Sequence, residues 1–70
     1  MEIGDKVIWA DHYDYEVGWI ISLNDSETSF KLISGPREGS MVSKPTSQVE
    51  GFSEEAYEYY SKIFGKKFGK

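Results

Sequence analysis

Seventy residues with a net charge of −4 and no cysteine leave room for one domain and exclude disulfide staples, thiolate zinc sites and thiol nucleophiles. The single histidine, His12, offers no pair for a metal site, and no apolar run, Trp19-Ile20-Ile21 among them, approaches the roughly 18 residues of a membrane span. The acidic start, Met1-Glu2-Ile3-Gly4-Asp5, lacks the basic-then-apolar order of a secretory leader, so a cytoplasmic protein is expected; no cofactor is expected either, and the core must do the stabilising, with oligomerisation as a supplement.

Behind Gly4-Asp5, residues 6–10 form a β-branched and aromatic run that reads as a first strand. Residues 11–16 alternate acids with aromatics and carry no helix cap, which predicts a loop projecting between strands. Residues 17–23 give the strongest strand signal in the chain, and Asn24-Asp25-Ser26-Glu27 is turn chemistry that closes a hairpin with a strand over 28–33. Residues 34–39, with two glycines and a proline, form a second turn before a short strand over 40–43. Residues 44–47 turn the chain into a last short strand around 48–50.

The tail changes period. Ser53 is a good N-cap, and Glu54 and Glu55 suit the positive end of a helix dipole. Ala56, Tyr60, Ile63 and Phe64 fall at i, i+4, i+7 and i+8 and predict one buried stripe, with Tyr57, Tyr59 and Phe68 off it. Gly65 is placed to end the helix, with Lys62, Lys66 and Lys67 at its negative end. The expected organisation is a barrel over 1–52, an appended helix over 53–64 and a flexible basic tail over 65–70.

Five short strands and one helix define a mainly β fold, a small five-stranded barrel with a C-terminal α-helix. Gly4-Asp5-x-Val7 followed by Gly18-x-Ile20-x-x-Leu23 resembles the opening strands of SH3-like barrels such as KOW and Tudor modules. That resemblance implies that Val7, Ile20 and Leu23 point inward and that Gly18 lets the chain bend between sheets. Gly4-Asp5-Lys6-Val7, Val17-Gly18-Trp19 and Gly39-Ser40, with Pro45 and Glu50 beyond, are also similar in order and spacing to the plasmid-encoded type II dihydrofolate reductases. Met41-Val42-Ser43-Lys44 stands where that family carries its Val-Gln-Ile-Tyr active-site segment, so the likeness implies the SH3-like fold and not the reductase activity. Ala10-Asp11-His12-Tyr13-Asp14-Tyr15 looks like the Ala-Leu-Tyr-Asp-Tyr signature of peptide-binding SH3 domains, but the paired tryptophans and the Pro-x-x-Tyr element of those domains do not follow it.

Charge is divided along the chain. Residues 1–52 hold nine acids against four bases, and residues 53–70 hold three acids against four lysines. Nucleic-acid binders present basic patches, so the β-rich part has the wrong sign for that partner and the right one for a basic protein. Asp11, His12, Asp14 and Glu16 lack the turn glycine and closing carboxylate of a calcium loop, so no metal is expected there. No Gly-x-Ser-x-Gly turn exists, and Gly35-Pro36-Arg37-Glu38-Gly39 lacks the Lys-Ser/Thr end of a phosphate loop. No enzyme is expected.

The functional expectation is therefore a non-catalytic protein-interaction module with Trp9, Asp11, Tyr13, Asp14, Tyr15, Glu16 and Trp19 as its partner-binding residues. Three uses compete for the rings: packing the core, forming an interface hot spot, or caging a cation among carboxylates. Small acidic proteins of this sort resemble phage-encoded or accessory factors that modulate host machinery. The alternative is KOW-like association with nucleic acid or the ribosome through Lys62, Lys66, Lys67 and Lys70. A homodimer through the C-terminal helix is a further candidate, because its aromatics occupy more than one face.

Overall fold

The computed structural model describes residues 1–33, 35 and 37–65. It contains β1 (Lys6–Ala10), β2 (Tyr15–Leu23), β3 (Glu27–Leu32), β4 (Met41–Pro45), a single 3-10 turn (Thr46–Gln48), β5 (Val49–Gly51) and α1 (Glu54–Phe64). The strands make one antiparallel sheet in the order β4-β3-β2-β1-β5. The mainly β class with a terminal helix is as expected. The fourth strand runs later than 40–43 and the fifth is 49–51, because Pro45 and the 3-10 turn move both boundaries.

Two of the hairpin turns are locked by the same device. Asp11 Oδ1 accepts from the N–H groups of Tyr13 and Asp14 at 2.7 and 2.8 Å, and the Asp11 N–H donates to the Asp14 carbonyl at 2.9 Å. Asn24 Oδ1 likewise accepts from Ser26 and Glu27 at 2.8 and 2.9 Å, while its N–H donates to the Glu27 carbonyl. A short side chain that mimics a backbone carbonyl closes each turn locally, and the strands then zip outward.

Strand alternation sorts the side chains onto two faces. Val7, Trp9, Ile20, Phe30, Leu32 and Val49 form an inner cluster, with Leu23 and Val42 packed against it. Side chains from both edge strands, Val42 of β4 and Val49 of β5, reach this one cluster, so the sheet is curled around it. The expected barrel is nevertheless not closed. The chain passes from β4 to β5 through the 3-10 turn, and the three residues of β5 pair with β1 (Val7↔Gly51, Trp9↔Val49), leaving no ladder between the two edges.

Val7, Ile20 and Leu23 do point inward, although 20 and 23 have opposite parity. A bulge between Ile20 and Ser22 reconciles them: Ile20 pairs with Phe30 and Ser22 with Ser29, so Ile21 is the extra residue and stands outward.

The opposite face carries Ile8, Tyr15 and Val17 and is covered by α1. Ser53 Oγ caps the helix by accepting from the Ala56 N–H at 3.1 Å, and Gly65 ends it at φ 68°, a left-handed conformation suited to glycine. The buried stripe is rotated from the expected one. Tyr57 is the most buried helix residue, beside Ala56, Tyr60 and Phe64, whereas Ile63 is 55% exposed. The reason is aromatic: Tyr57 packs against both Tyr15 and Phe52, with ring centroids 6.2 and 5.7 Å apart, and Ile63 could not fill that space. The basic tail expected over 65–70 falls, from residue 66 onward, outside the described residues.

Gly18 is demanded by packing. A Cβ there would lie 2.5 Å from the Lys31 carbonyl oxygen and 2.6 Å from Phe30 Cδ2, whereas nothing approaches within 4 Å at Gly51. Gly18→Ala is therefore expected to destabilise by about 1–3 kcal/mol, and Gly51→Ala to be neutral or stabilising by about 0.4–1 kcal/mol. Urea unfolding of the two variants measures both, and equal effects would contradict the packing argument.

Candidate functional site

The structure separates the seven residues singled out by sequence. Trp9 and Glu16 pair across β1 and β2 and both face inward, each 5% exposed. Tyr15 is fully buried on the other face under α1, where burial, followed by the neighbouring Tyr57, pushes its hydroxyl up to about 12. Trp19 also lies on the outer face but is 46% exposed. Asp11, Tyr13 and Asp14 make the β1–β2 turn, with Tyr13 89% exposed at its tip. Tyr15 and Glu16, expected in a loop, are the first two residues of β2. No single aromatic cage gathers these rings.

What the inner-face residues of this set hold instead are the chain's own cations. The Lys44 Nζ lies 3.8 Å from the centre of the Trp9 ring, and Trp9 Nε1 donates to Gln48 Oε1 at 3.1 Å. Arg37, from the β3–β4 loop, pairs with the buried Glu16 carboxylate through Oε2, while Glu16 Oε1 has no hydrogen-bond partner. The chemistry expected to recognise a cation is present, and internal lysine and arginine groups engage it.

The turn remains available. Asp11 accepts two backbone N–H groups, and its carboxyl is held below the usual carboxylate range, first by the Tyr13 N–H and further by Asp14 and by the charge of Lys44. Asp14 caps the start of β2 by accepting from the Tyr15 N–H at 2.7 Å. These contacts fix the backbone beneath Tyr13, and the His12 ring meets the Tyr13 ring edge-on at 6.4 Å. An exposed aromatic thus stands on a rigid base between two carboxylates. Among the described residues, no three His, Asp or Glu side chains are grouped to hold a metal ion, and no helix is long and apolar enough to cross a membrane.

A second surface escaped the sequence reading. Lys6, Trp19, Lys31 and Met41 form one cross-strand row over β1, β2, β3 and β4 on the outer face. Trp19, Lys31 and Glu38 line a groove of about 360 Å³ beside it. The bulge hides this row: an unbroken register from the Asn24 turn would pair Trp19 with Leu32 and send its ring into the core. Hydrophobic periodicity alone carries no signal for such a shift.

Comparison of the chain with protein-family models, with curated proteins and with solved structures finds no match, and so gives no support to the SH3, KOW or reductase resemblance. The functional reading rests on the residues themselves.

The Glu16–Arg37 pair is testable. Arg37→Met leaves a buried carboxylate without its counter-charge, and is expected to destabilise by about 1–3 kcal/mol at neutral pH. Adding Glu16→Gln should recover much of that loss. Denaturant unfolding of the single and double variants decides it, and an Arg37→Met protein as stable as the parent would show that the pair contributes nothing.

Proposed function

We propose that this chain is a non-catalytic protein-interaction module whose β1–β2 turn engages a basic partner. The observation that carries the reading is Tyr13, 89% exposed at the tip of a turn whose backbone is fixed by Asp11 and Asp14. A tyrosine on a fixed backbone has only two side-chain torsions to order on binding, and such rings are enriched among residues that dominate interface energies. The flanking carboxylates add long-range attraction for lysine and arginine, in keeping with the nine acids and four bases of residues 1–52. Trp9, Tyr15 and Glu16 act from behind in this reading. They anchor the two strands that present the turn.

We further read the fold as an opened member of the SH3-like class. Support comes from the strand order, the curl that brings side chains of β4 and β5 into one cluster, and the one-turn link between those edges. An accessory protein that modulates larger machinery by contact alone suits a domain of this size and charge. The nucleic-acid alternative leans on Lys62, in the last turn of α1, and on Lys66, Lys67 and Lys70, which lie outside the described residues.

The test is capture of partners from lysate followed by reconstitution with the purified partner. Tyr13→Ala is expected to weaken that complex roughly thirtyfold, and Asp11→Asn with Asp14→Asn to flatten its salt dependence. Affinity unchanged in Tyr13→Ala would remove the turn as the contact.

A further inference from the structure

The helix covers only part of the sheet it packs on. Its buried side chains meet Ile8, Tyr15 and Val17 on β1 and β2, together with Ala10, Ile33 and Phe52. Beyond them, over β2, β3 and β4, the same face carries the row of Trp19, Lys31 and Met41, with Ser22, Ser29 and Ser43 in the next row. Trp19 and Met41 are 46% and 64% exposed, and Ile21 on the bulge is 41% exposed. A tryptophan, an isoleucine and a methionine left in water around Lys31 on one face of a small domain are side chains of the kind that mark a contact surface. Lys6 and Lys31 flank the Trp19 ring on the two neighbouring strands, the Lys6 Nζ lying 4.0 Å from the centre of Phe52 and 5.9 Å from that of Trp19, and they outnumber the single acid of the adjoining groove, Glu38, so the patch carries net positive charge.

The helix carries a matching surface on its other side. Glu55, Tyr59 and Ile63 are spaced i, i+4 and i+8 along the side turned away from the sheet, with Tyr59 61% and Ile63 55% exposed. Glu54, Glu58 and Lys62 border this stripe, which makes it acidic in sum and apolar at its centre. Row and stripe are complementary in kind: acid against lysine, and exposed ring and aliphatic side chains on both. Both belong to the same chain, and neither is used by the β1–β2 turn.

We propose that a second copy of this chain covers the open half of the sheet. In the dimer the two helices lie side by side between two sheets, and the Glu55–Tyr59–Ile63 stripe of each protomer docks on the Trp19–Lys31–Met41 row of the other. Two-fold symmetry makes both contacts at once, so the assembly closes without leaving a surface for further growth. It also completes the layer that a lone helix leaves half built, an advantage for a 70-residue chain with no disulfide to staple it.

Sedimentation equilibrium over a concentration series is the test, with Lys31→Glu and Glu55→Lys as exposed charge reversals and circular dichroism to confirm that each is folded. The wild-type protein is expected at twice the 8.0 kDa chain mass. Each variant alone is expected to weaken association at least tenfold, because both symmetric contacts then oppose like charges. An equimolar mixture of the two variants should recover a heterodimer, in which every contact again pairs acid with base. A wild-type monomer at the highest concentration, a dimer unaffected by either reversal, or a mixture that stays monomeric would each overturn the proposal. So would quenching of Trp19 fluorescence by a single-stranded oligonucleotide at concentrations where the chain is monomeric, which would assign the row to nucleic acid.

Discussion

The burial of Tyr15 beneath the helix is the contact on which the rest of this structure depends. Its ring stacks on Tyr60 and Phe64, with centroids 5.9 and 5.7 Å away and planes 25° and 20° apart, and meets Tyr57 edge-on. Offset aromatic contacts of this kind contribute about 0.5–1.5 kcal/mol each beyond simple area burial. One residue of the sheet thereby gathers three of the helix. The helix would otherwise be eleven residues of marginal intrinsic stability, and tertiary packing is what holds it.

Two consequences follow from that joint. Tyr15 is the first residue of β2, and the N–H that starts the strand is capped by Asp14, so fixing Tyr15 also fixes the end of the turn that lifts Tyr13 into solvent. The docking position of the helix over β1 and β2 determines which part of the outer face stays bare, and hence where Trp19, Lys31 and Met41 stand open. Turn and row are separate surfaces with opposite charge. The proposed basic partner and the proposed second copy would therefore occupy different surfaces.

Most of the fold was legible in the sequence because its signals are local. Ser53 and Gly65 bracket the helix, Asn24 closes a hairpin, and Val7, Ile20 and Leu23 point inward as the SH3-like resemblance implies. What could not be read depends on contacts distant along the chain. Glu16 looked like part of a solvated acidic loop, yet Arg37, twenty-one residues on, lets it be buried. Tyr57 seemed to lie off the apolar stripe, and only the positions of Tyr15 and Phe52 make it the pivot of the helix. The face of Trp19 hangs on a one-residue bulge, and the open seam between β4 and β5 on a turn that no periodicity records. The candidate site suffered most, since residues adjacent in sequence were divided between two faces of a sheet.

The central claim is that Tyr15 is sealed by the helix, and ionisation reports it directly. An unfolded tyrosine ionises near pH 10, whereas burial keeps folded Tyr15 protonated to about pH 12. The native state then binds more protons than the unfolded state in that window, so the stabilisation is complete below pH 10 and is lost as pH rises toward 12. Tyrosinate absorbance titrated in the wild type and in Tyr15→Phe, alongside circular dichroism, isolates this one hydroxyl. The expected result is a late step near pH 12 that coincides with loss of the helix signal; ionisation of Tyr15 near pH 10, in a protein still folded, would contradict the account.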